Sequence, residues 1–328
     1  MDKALILFQT DEDFRKKLSS ILVNYDVLFM ESADPFNLDS AAVDEAAAAY
    51  TAIIFGNPPA DLLRRCPRLK WLQLQSAGSD NYTGGRLGPG ILLTNASGVY
   101  GHAVSEHMTA MTLEIAKKLH LYRDEQAAGR WQGRGMVKSV QGAVVLVVGL
   151  GDLGSGYAWR MKGLGAYVIG LRRTAQAKPD YVDEQYQADK LDELLPRADI
   201  VCLMLPGTKD SVGLFNRERL AKMKKGAIIL NGGRGSAVDT EALCDALESG
   251  ALDGAGLDVT DPEPLPPEHR LWKIGNAVIT PHISGGRNMS QTGAYMMDLN
   301  LKNAARFVKG EKLENLVDFK TGYRFPVS

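Results

Sequence analysis

Residues 149–154 read GLGDLG, a G-x-G-x-x-G run that directly follows the apolar stretch AVVLVV and directly precedes a helix-period segment. Each glycine has a geometric task. Gly149 admits a tight turn, Gly151 lets the backbone approach a pyrophosphate, and Gly154 lets the helix pack on the strand. Amides at the N-terminus of the next helix then face the anion. With 34 glycines in the chain, such a run recurs by chance, so its place between strand and helix carries the assignment. AVVLVV is apolar without alternation, which predicts a strand buried on both faces, as in a parallel α/β sheet.

Short apolar runs alternate with helical segments along the whole chain, the pattern of parallel α/β architecture. Strands are predicted at 4–8, 27–30, 52–55 and 71–74, with helices at 11–22 and 41–49. This gives a first α/β domain that ends near Asn95. A long helix follows at 101–122. Its residues Ala103, His107, Ala110, Met111, Glu114 and Ile115 leave little of it purely polar, so burial between domains or under another subunit is expected. A second series starts at Gly142 and continues with strands at 166–170, 200–205, 227–230, 254–257 and 277–279. Helices are predicted at 153–164, 217–223 and 239–249, the last capped by Asp239 with Glu241 in its first turn. A final helix spans 289–308. At 328 residues, two domains are expected.

The strand after the glycine run ends in Gly170-Leu171-Arg172-Arg173-Thr174. A site that prefers NAD carries Asp or Glu about 20 residues beyond the glycines, for the ribose 2′-hydroxyl. This chain has none there. An arginine pair can instead hold a 2′-phosphate through charge-assisted hydrogen bonds. NADP is therefore the favoured cofactor and NAD the alternative.

Three further segments place polar residues at the ends of apolar runs: ILNGGRG with Arg234, GLDVTDPEPLP with Glu263, and TPHISGG with His282. Loops at the carboxyl ends of parallel strands are where open α/β sheets bind ligands. Reduction of a 2-keto acid needs hydride at the carbonyl carbon and a proton at its oxygen, and histidine suits that proton transfer near neutral pH. A carboxylate against the other ring nitrogen would favour the imidazolium and fix the ring. A guanidinium fork matches the substrate carboxylate.

In this order behind a dinucleotide motif, the segments resemble the D-isomer-specific 2-hydroxyacid dehydrogenase family, in its glyoxylate/hydroxypyruvate reductase-like branch. Ser76-Ala77-Gly78 and NASGVY at 95–100 match as well. The resemblance implies catalytic Arg234, Glu263 and His282, with Glu263 paired to His282. It implies substrate contact from Ser76, Ala77 and Gly78, Asp258 near the nicotinamide, and Leu205 and Pro206 beside the adenosine. Asp152, Leu153, Thr174, Gly232, Gly233 and Gly285 join the cofactor set, to which Arg234 and His282 also belong. The implied fold is two Rossmann-like α/β domains with parallel sheets. Residues 1–98 plus 289–328 would form a discontinuous, flavodoxin-like substrate domain, and 99–288 the dinucleotide-binding domain. The 101–122 helix would then belong to a homodimer interface. Phe55, the 76–78 loop and Met296 or Met297 are expected to shape the substrate pocket.

Competing functions are a dinucleotide-sensing binding protein or corepressor, and a cofactor-retaining hydrolase of related fold. The intact Arg234, Glu263 and His282 argue for the reductase. Formate dehydrogenase relatives carry Gln where Glu263 stands, because formate oxidation needs no proton transfer. With 38 basic and 39 acidic residues and a net charge of -1, nucleic acid and membrane surfaces are not expected partners. No stretch reaches the roughly 18 apolar residues of a membrane span. Cys66, Cys202 and Cys244 share no metal-ligand spacing, and the remaining histidines are read as structural, so no metal is expected. A cytoplasmic enzyme fits these features.

Overall fold

In a computed structural model, the described residues are 1–30, 40–83, 85–88, 90–174, 176–286, 289–320 and 322–325. The chain divides into two compact units, Met1–Val99 with Met289–Ser328, and Tyr100–Asn288. Asn288, where the chain was expected to return to its first domain, lies outside the described residues.

In the first unit, β1 (Lys3–Ile6), α1 (Glu12–Ile21), β2 (Asp26–Phe29), α2 (Glu45–Ala49), β3 (Thr51–Phe55), α3 (Ala60–Arg64), β4 (Trp71–Gln73) and β5 (Leu92–Thr94) alternate. These five strands form one sheet, parallel throughout, in the order β2-β1-β3-β4-β5. This is the flavodoxin-like order. Capping sets the helix starts: Asp11 accepts the Phe14 amide at 2.7 Å and Asp44 that of Ala47 at 2.6 Å. The Asp44 cap splits the Ala-rich segment, predicted as one helix at 41–49, into a 3-10 turn at Ser40–Ala42 and α2.

The second unit runs α4 (Gly101–Ala116), α5 (Leu119–Ala127), β6 (Val144–Val148), α6 (Asp152–Gly163), β7 (Tyr167–Arg172), β8 (Glu184–Gln187), α7 (Leu191–Leu194), β9 (Ile200–Leu203), α8 (Arg217–Lys222), β10 (Ala227–Asn231), α9 (Thr240–Glu248), β11 (Leu252–Leu257) and β12 (Ala277–Ile279). The chain then rejoins the first unit with α10 (Ser290–Lys309), β13 (Val317–Asp318) and β14 (Tyr323–Arg324). The seven-stranded sheet has the order β12-β11-β10-β9-β6-β7-β8 and is parallel throughout. It is a doubly wound Rossmann sheet with one added strand, and its order reverses between β6 and β9.

Both faces of this sheet are covered. Val145, Val147, Ile200, Cys202, Ile228 and Leu230 meet α4 and α6 on one face. Leu146, Val148, Val201, Leu203, Ile229 and Leu257 meet α7, α8 and α9 on the other. Strands buried on both faces are why the apolar runs lack alternation. The long helix at 101–122 is corrected in its length: it stops at Ala116, and a left-handed Lys118 (φ 57°) turns the chain into α5. Its Val104, Met108, Met111 and Ile115 pack into the core of their own unit.

Candidate active site

The glycine run lies where the sheet order reverses. Gly149 follows β6 with φ 103°, and a side chain there would meet the Met204 carbonyl at 2.6 Å and Leu205 Cδ2 at 3.2 Å. A Cβ on Gly154 would fall 2.0 Å from the Gly149 carbonyl oxygen, so that glycine is required for the close helix–strand contact. Gly151 is the N-cap of α6 with no side-chain cap, and Asp152 and Leu153 open the helix. The first-turn amides of a twelve-residue helix therefore face out beside a strand end, a cradle suited to pyrophosphate.

At the end of β7, the Arg172 Nε is buried without a hydrogen-bond partner among the described residues, while Nη1 donates to Gln176. Arg173 and Thr174 are exposed. An orphaned guanidinium nitrogen where an acidic residue would exclude a 2′-phosphate fits NADP. Leu205 is half-buried beyond β9, and Pro206 is exposed with its carbonyl taken by the Ser211 hydroxyl at 2.6 Å.

The loop after β10 is pressed into its neighbours by glycines. A Cβ on Gly233 would meet the Leu205 carbonyl oxygen at 2.5 Å, and one on Gly232 would meet Met108 Sδ at 3.0 Å. One on Gly235 would fall 1.8 Å from the Thr260 carbonyl oxygen. Buried Asn231 ties the loop together: its Oδ1 accepts the Gly233 amide at 3.1 Å and its Nδ2 donates to the Arg234 carbonyl at 2.9 Å. Arg234 is half-buried, with Nη1 donating to the Gly233 carbonyl at 2.9 Å. Gly235→Ala forces backbone apart and should cost about 3 kcal/mol. A thermal melt reads this as a fall of roughly 6–12 °C in Tm; an unchanged Tm would mean the two loops can separate without loss.

Glu263 lies after β11, in a segment where the Asp261–Pro262 and Glu263–Pro264 peptides are cis. His282, after β12, has left-handed backbone (φ 53°), and its Nδ1 lies 2.5 Å from Glu263 Oε1. The acceptor carboxylate assigns the proton to Nδ1, which leaves Nε2 as the ring atom for proton transfer. Asp258 is 1% exposed, and its carboxylate accepts from Thr280, Ile283 and Ser284 rather than pointing into solvent. Gly285 lies against the start of α4, 3.3 Å from Val104 if given a Cβ. The strand ends of β6, β9, β10, β11 and β12 thus bring together the predicted glycine, Leu205, Arg234, Glu263 and His282 positions of the second unit.

Ser76, Ala77 and Gly78 lie in the first unit, after β4. The Ser76 hydroxyl donates to the Gly78 carbonyl at 2.7 Å, and buried Asn95 donates to the Ala77 carbonyl at 2.8 Å. The Ser76 carbonyl accepts the Ala96 amide at 2.9 Å. With the loop carbonyls engaged, the amides of Ala77 and Gly78 have no partner among the described residues. Phe55 is not a pocket residue: it is fully buried, with its ring 4.9 Å from Trp71. Met296 is also buried, at 2% exposure. Sequence reasoning missed Asn231, Asn95 and His107, because their partners lie in other segments or are backbone atoms.

Among the described residues, no group of three His, Cys, Asp or Glu could hold a metal ion, and no helix is long and apolar enough to cross a membrane.

Comparison with known proteins agrees with this geometry. The sequence model described as D-isomer specific 2-hydroxyacid dehydrogenase, NAD binding domain, matches residues 109–284. A glyoxylate/hydroxypyruvate reductase B of Erwinia tasmaniensis is 34% identical over 248 residues, covering 73% of this chain and 76% of that protein. A solved D-isomer specific 2-hydroxyacid dehydrogenase family protein from Aeromonas salmonicida superposes with a TM-score of 0.83 at 29% identity, over 97% of this chain and 99% of that one. An NADPH-dependent glyoxylate/hydroxypyruvate reductase from Sinorhizobium meliloti, solved with NADP and sulfate, gives 0.80 at 26% identity, over 98% of this chain and all of that one, 100%. The chain belongs to the D-isomer specific 2-hydroxyacid dehydrogenase family.

Proposed function

We propose that this protein uses NADPH to reduce a small 2-keto acid, of the glyoxylate or hydroxypyruvate kind, to the D-2-hydroxy acid. The reading rests on one observation above all: a histidine–carboxylate pair, His282 Nδ1 to Glu263 Oε1, at the strand ends of the sheet that carries the glycine cradle. The names of the reductase relatives support the substrate class, and the NADP in the Sinorhizobium meliloti structure supports the nucleotide.

Bound reduced nicotinamide would supply the hydride. The chain's own residues do the rest. Arg234 holds the substrate carboxylate and polarises the keto oxygen. The amides of Ala77 and Gly78, ordered by Ser76, are donors suited to a substrate anion. His282 delivers its proton from Nε2 to the developing alkoxide. Glu263 balances the imidazolium before transfer and keeps the ring oriented through Nδ1 afterwards. Gly149, Gly151, Asp152, Leu153 and Gly154 form the pyrophosphate site, with Leu205 and Pro206 beside the adenosine. Gly232, Gly233, Asp258 and Gly285 flank the nicotinamide side. Arg172, Arg173 and Thr174 receive the 2′-phosphate.

In this reading residues 1–98 with 289–328 are the substrate domain and 99–288 the dinucleotide domain. The enzyme works as a cytoplasmic homodimer on a small acid, without nucleic acid or membrane. Purified protein mixed with NADPH or NADH and a panel of glyoxylate, hydroxypyruvate, pyruvate and bulkier 2-keto acids tests it through loss of the reduced-nicotinamide absorbance. No loss with any pair would replace the reductase by a dinucleotide-binding protein without chemistry. The double variant Arg172→Ala/Arg173→Ala should raise KM for NADPH roughly 10- to 100-fold, the worth of about one charge-assisted hydrogen bond. KM for NADH should barely move; equal shifts for both cofactors would remove the 2′-phosphate role.

A further inference from the structure

His107 stands on α4, at a place where sequence reasoning assigned no chemistry. Its Nε2 lies 3.0 Å from Thr280 Oγ1, and Thr280 Oγ1 lies 2.6 Å from Asp258 Oδ1. A hydroxyl carries one proton. The short bond to the carboxylate uses that proton, so the remaining lone pair of Thr280 accepts from His107 Nε2–H. The direct distance from His107 Nε2 to Asp258 Oδ1 is 3.9 Å, beyond a hydrogen bond, so Thr280 is the link.

Asp258 is the anchor of the loop that carries His282. Its Oδ1 accepts the Ile283 amide at 3.0 Å, and its Oδ2 accepts the Ser284 amide at 3.1 Å and the Ser284 hydroxyl. The amide of His282 itself donates to the Asp258 carbonyl at 2.8 Å. His282 lies between these anchored residues, in left-handed backbone and with a side chain 48% exposed. Glu263 orients the ring through Nδ1, and the loop backbone sets the position from which the ring is aimed. α4 is the rigid support on the far side, with Val104, Met108 and Met111 in the core.

We propose that His107 is a positioning residue: through Thr280 and Asp258 it fixes the loop that aims His282. The inference rests on the reading of His282 as proton donor, and deepens it. His107 touches neither substrate nor cofactor in this role. It acts by keeping the Thr280 hydroxyl turned toward Asp258, which keeps the carboxylate facing the Ile283 and Ser284 amides.

Three variants test it: His107→Leu, His107→Gln, whose amide nitrogen reaches about as far as Nε2, and Thr280→Val. His107→Leu should lower kcat on the order of 10- to 100-fold, the scale of a misplacement near 1 Å. KM for NADPH should stay within about twofold, since the glycine cradle is untouched. Hydrogen–deuterium exchange on the unliganded protein should show the Ile283 and Ser284 amides opening about tenfold faster. His107→Gln should restore both readouts to within roughly threefold, because the donor returns. The double variant His107→Leu/Thr280→Val should be no worse than the poorer single, since the two cut one chain. Wild-type exchange in His107→Leu, or additive losses in the double variant, would overturn the proposal. Failure of the wild type to reduce any keto acid would overturn the reductase reading instead, and the exchange measurement would still decide the part played by His107.

Discussion

His282→Gln should yield a folded protein that binds NADPH normally and turns over at roughly one-thousandth of the wild-type kcat, within the 10²- to 10⁴-fold range of general acid catalysis. Glutamine keeps the length of the side chain and an N–H that can point at the keto oxygen, but it has no proton to release. The alkoxide formed on hydride transfer must then take its proton from water. Since the His282 side chain is 48% exposed, water reaches the position and a residual rate survives. Glu263→Gln should fall between the two enzymes, because the ring keeps a partner while losing the charge that steadies the imidazolium. Steady-state kinetics with NADPH saturating, together with NADPH titration by fluorescence, separates chemistry from binding. A kcat for His282→Gln within threefold of wild type would end the proton-donor assignment.

Arg234→Lys is the second large effect expected, a loss on the order of 10²- to 10⁴-fold in kcat/KM, the worth of the two hydrogen bonds to a charged group that the fork supplies. Lysine preserves the charge and nearly the length. It cannot present two parallel N–H groups to a carboxylate. The loop cannot adjust to help it, because Gly233 and Gly235 lock the backbone against Leu205 and Thr260, and Asn231 closes the turn. Arg234→Ala should lose more and regain part of its activity when guanidinium is added below denaturing concentrations. Full activity in Arg234→Lys would show that charge alone binds the substrate; no rescue of Arg234→Ala would remove the fork from the mechanism.

Much of this fold is legible in the sequence because a doubly wound sheet hides both faces of its strands. AVVLVV, IVCL and AIIL read as strands without help from neighbours. β8 (EQYQ) escapes that reading: it lies at one edge of the sheet and its residues are polar, with Glu184 held by Arg197 and Tyr186 and its carboxyl pulled down to about 2, chiefly by the Arg197 hydrogen bond. β5 is only three residues long. The break at Lys118 is equally unreadable, since lysine gives no warning of left-handed backbone.

The site divides in the same way. Residues whose role is set by the local chain stand out: the glycines of a turn, or a histidine and a glutamate embedded in distinctive loops. Asn231, Asn95 and His107 do not, because each acts on groups in the folded backbone or on a residue as distant in sequence as Thr280. Phe55 was misplaced for the converse reason. Its position at the end of a strand resembles a pocket wall, but β3 is buried on both faces and the ring packs into the core beside Trp71.

The order of the large sheet has one more consequence. Arg172 and Arg173 leave the end of β7, and His282 follows β12, five strand positions away. At about 4.8 Å per step this is roughly 24 Å along the sheet, far beyond the reach of direct coupling between side chains. Nucleotide choice and proton delivery are therefore written in separate stretches of the gene, on opposite flanks of one scaffold. A lineage can exchange one electron-carrier pool for another by rewriting a few codons after β7, while the machinery that completes the reaction is inherited unchanged.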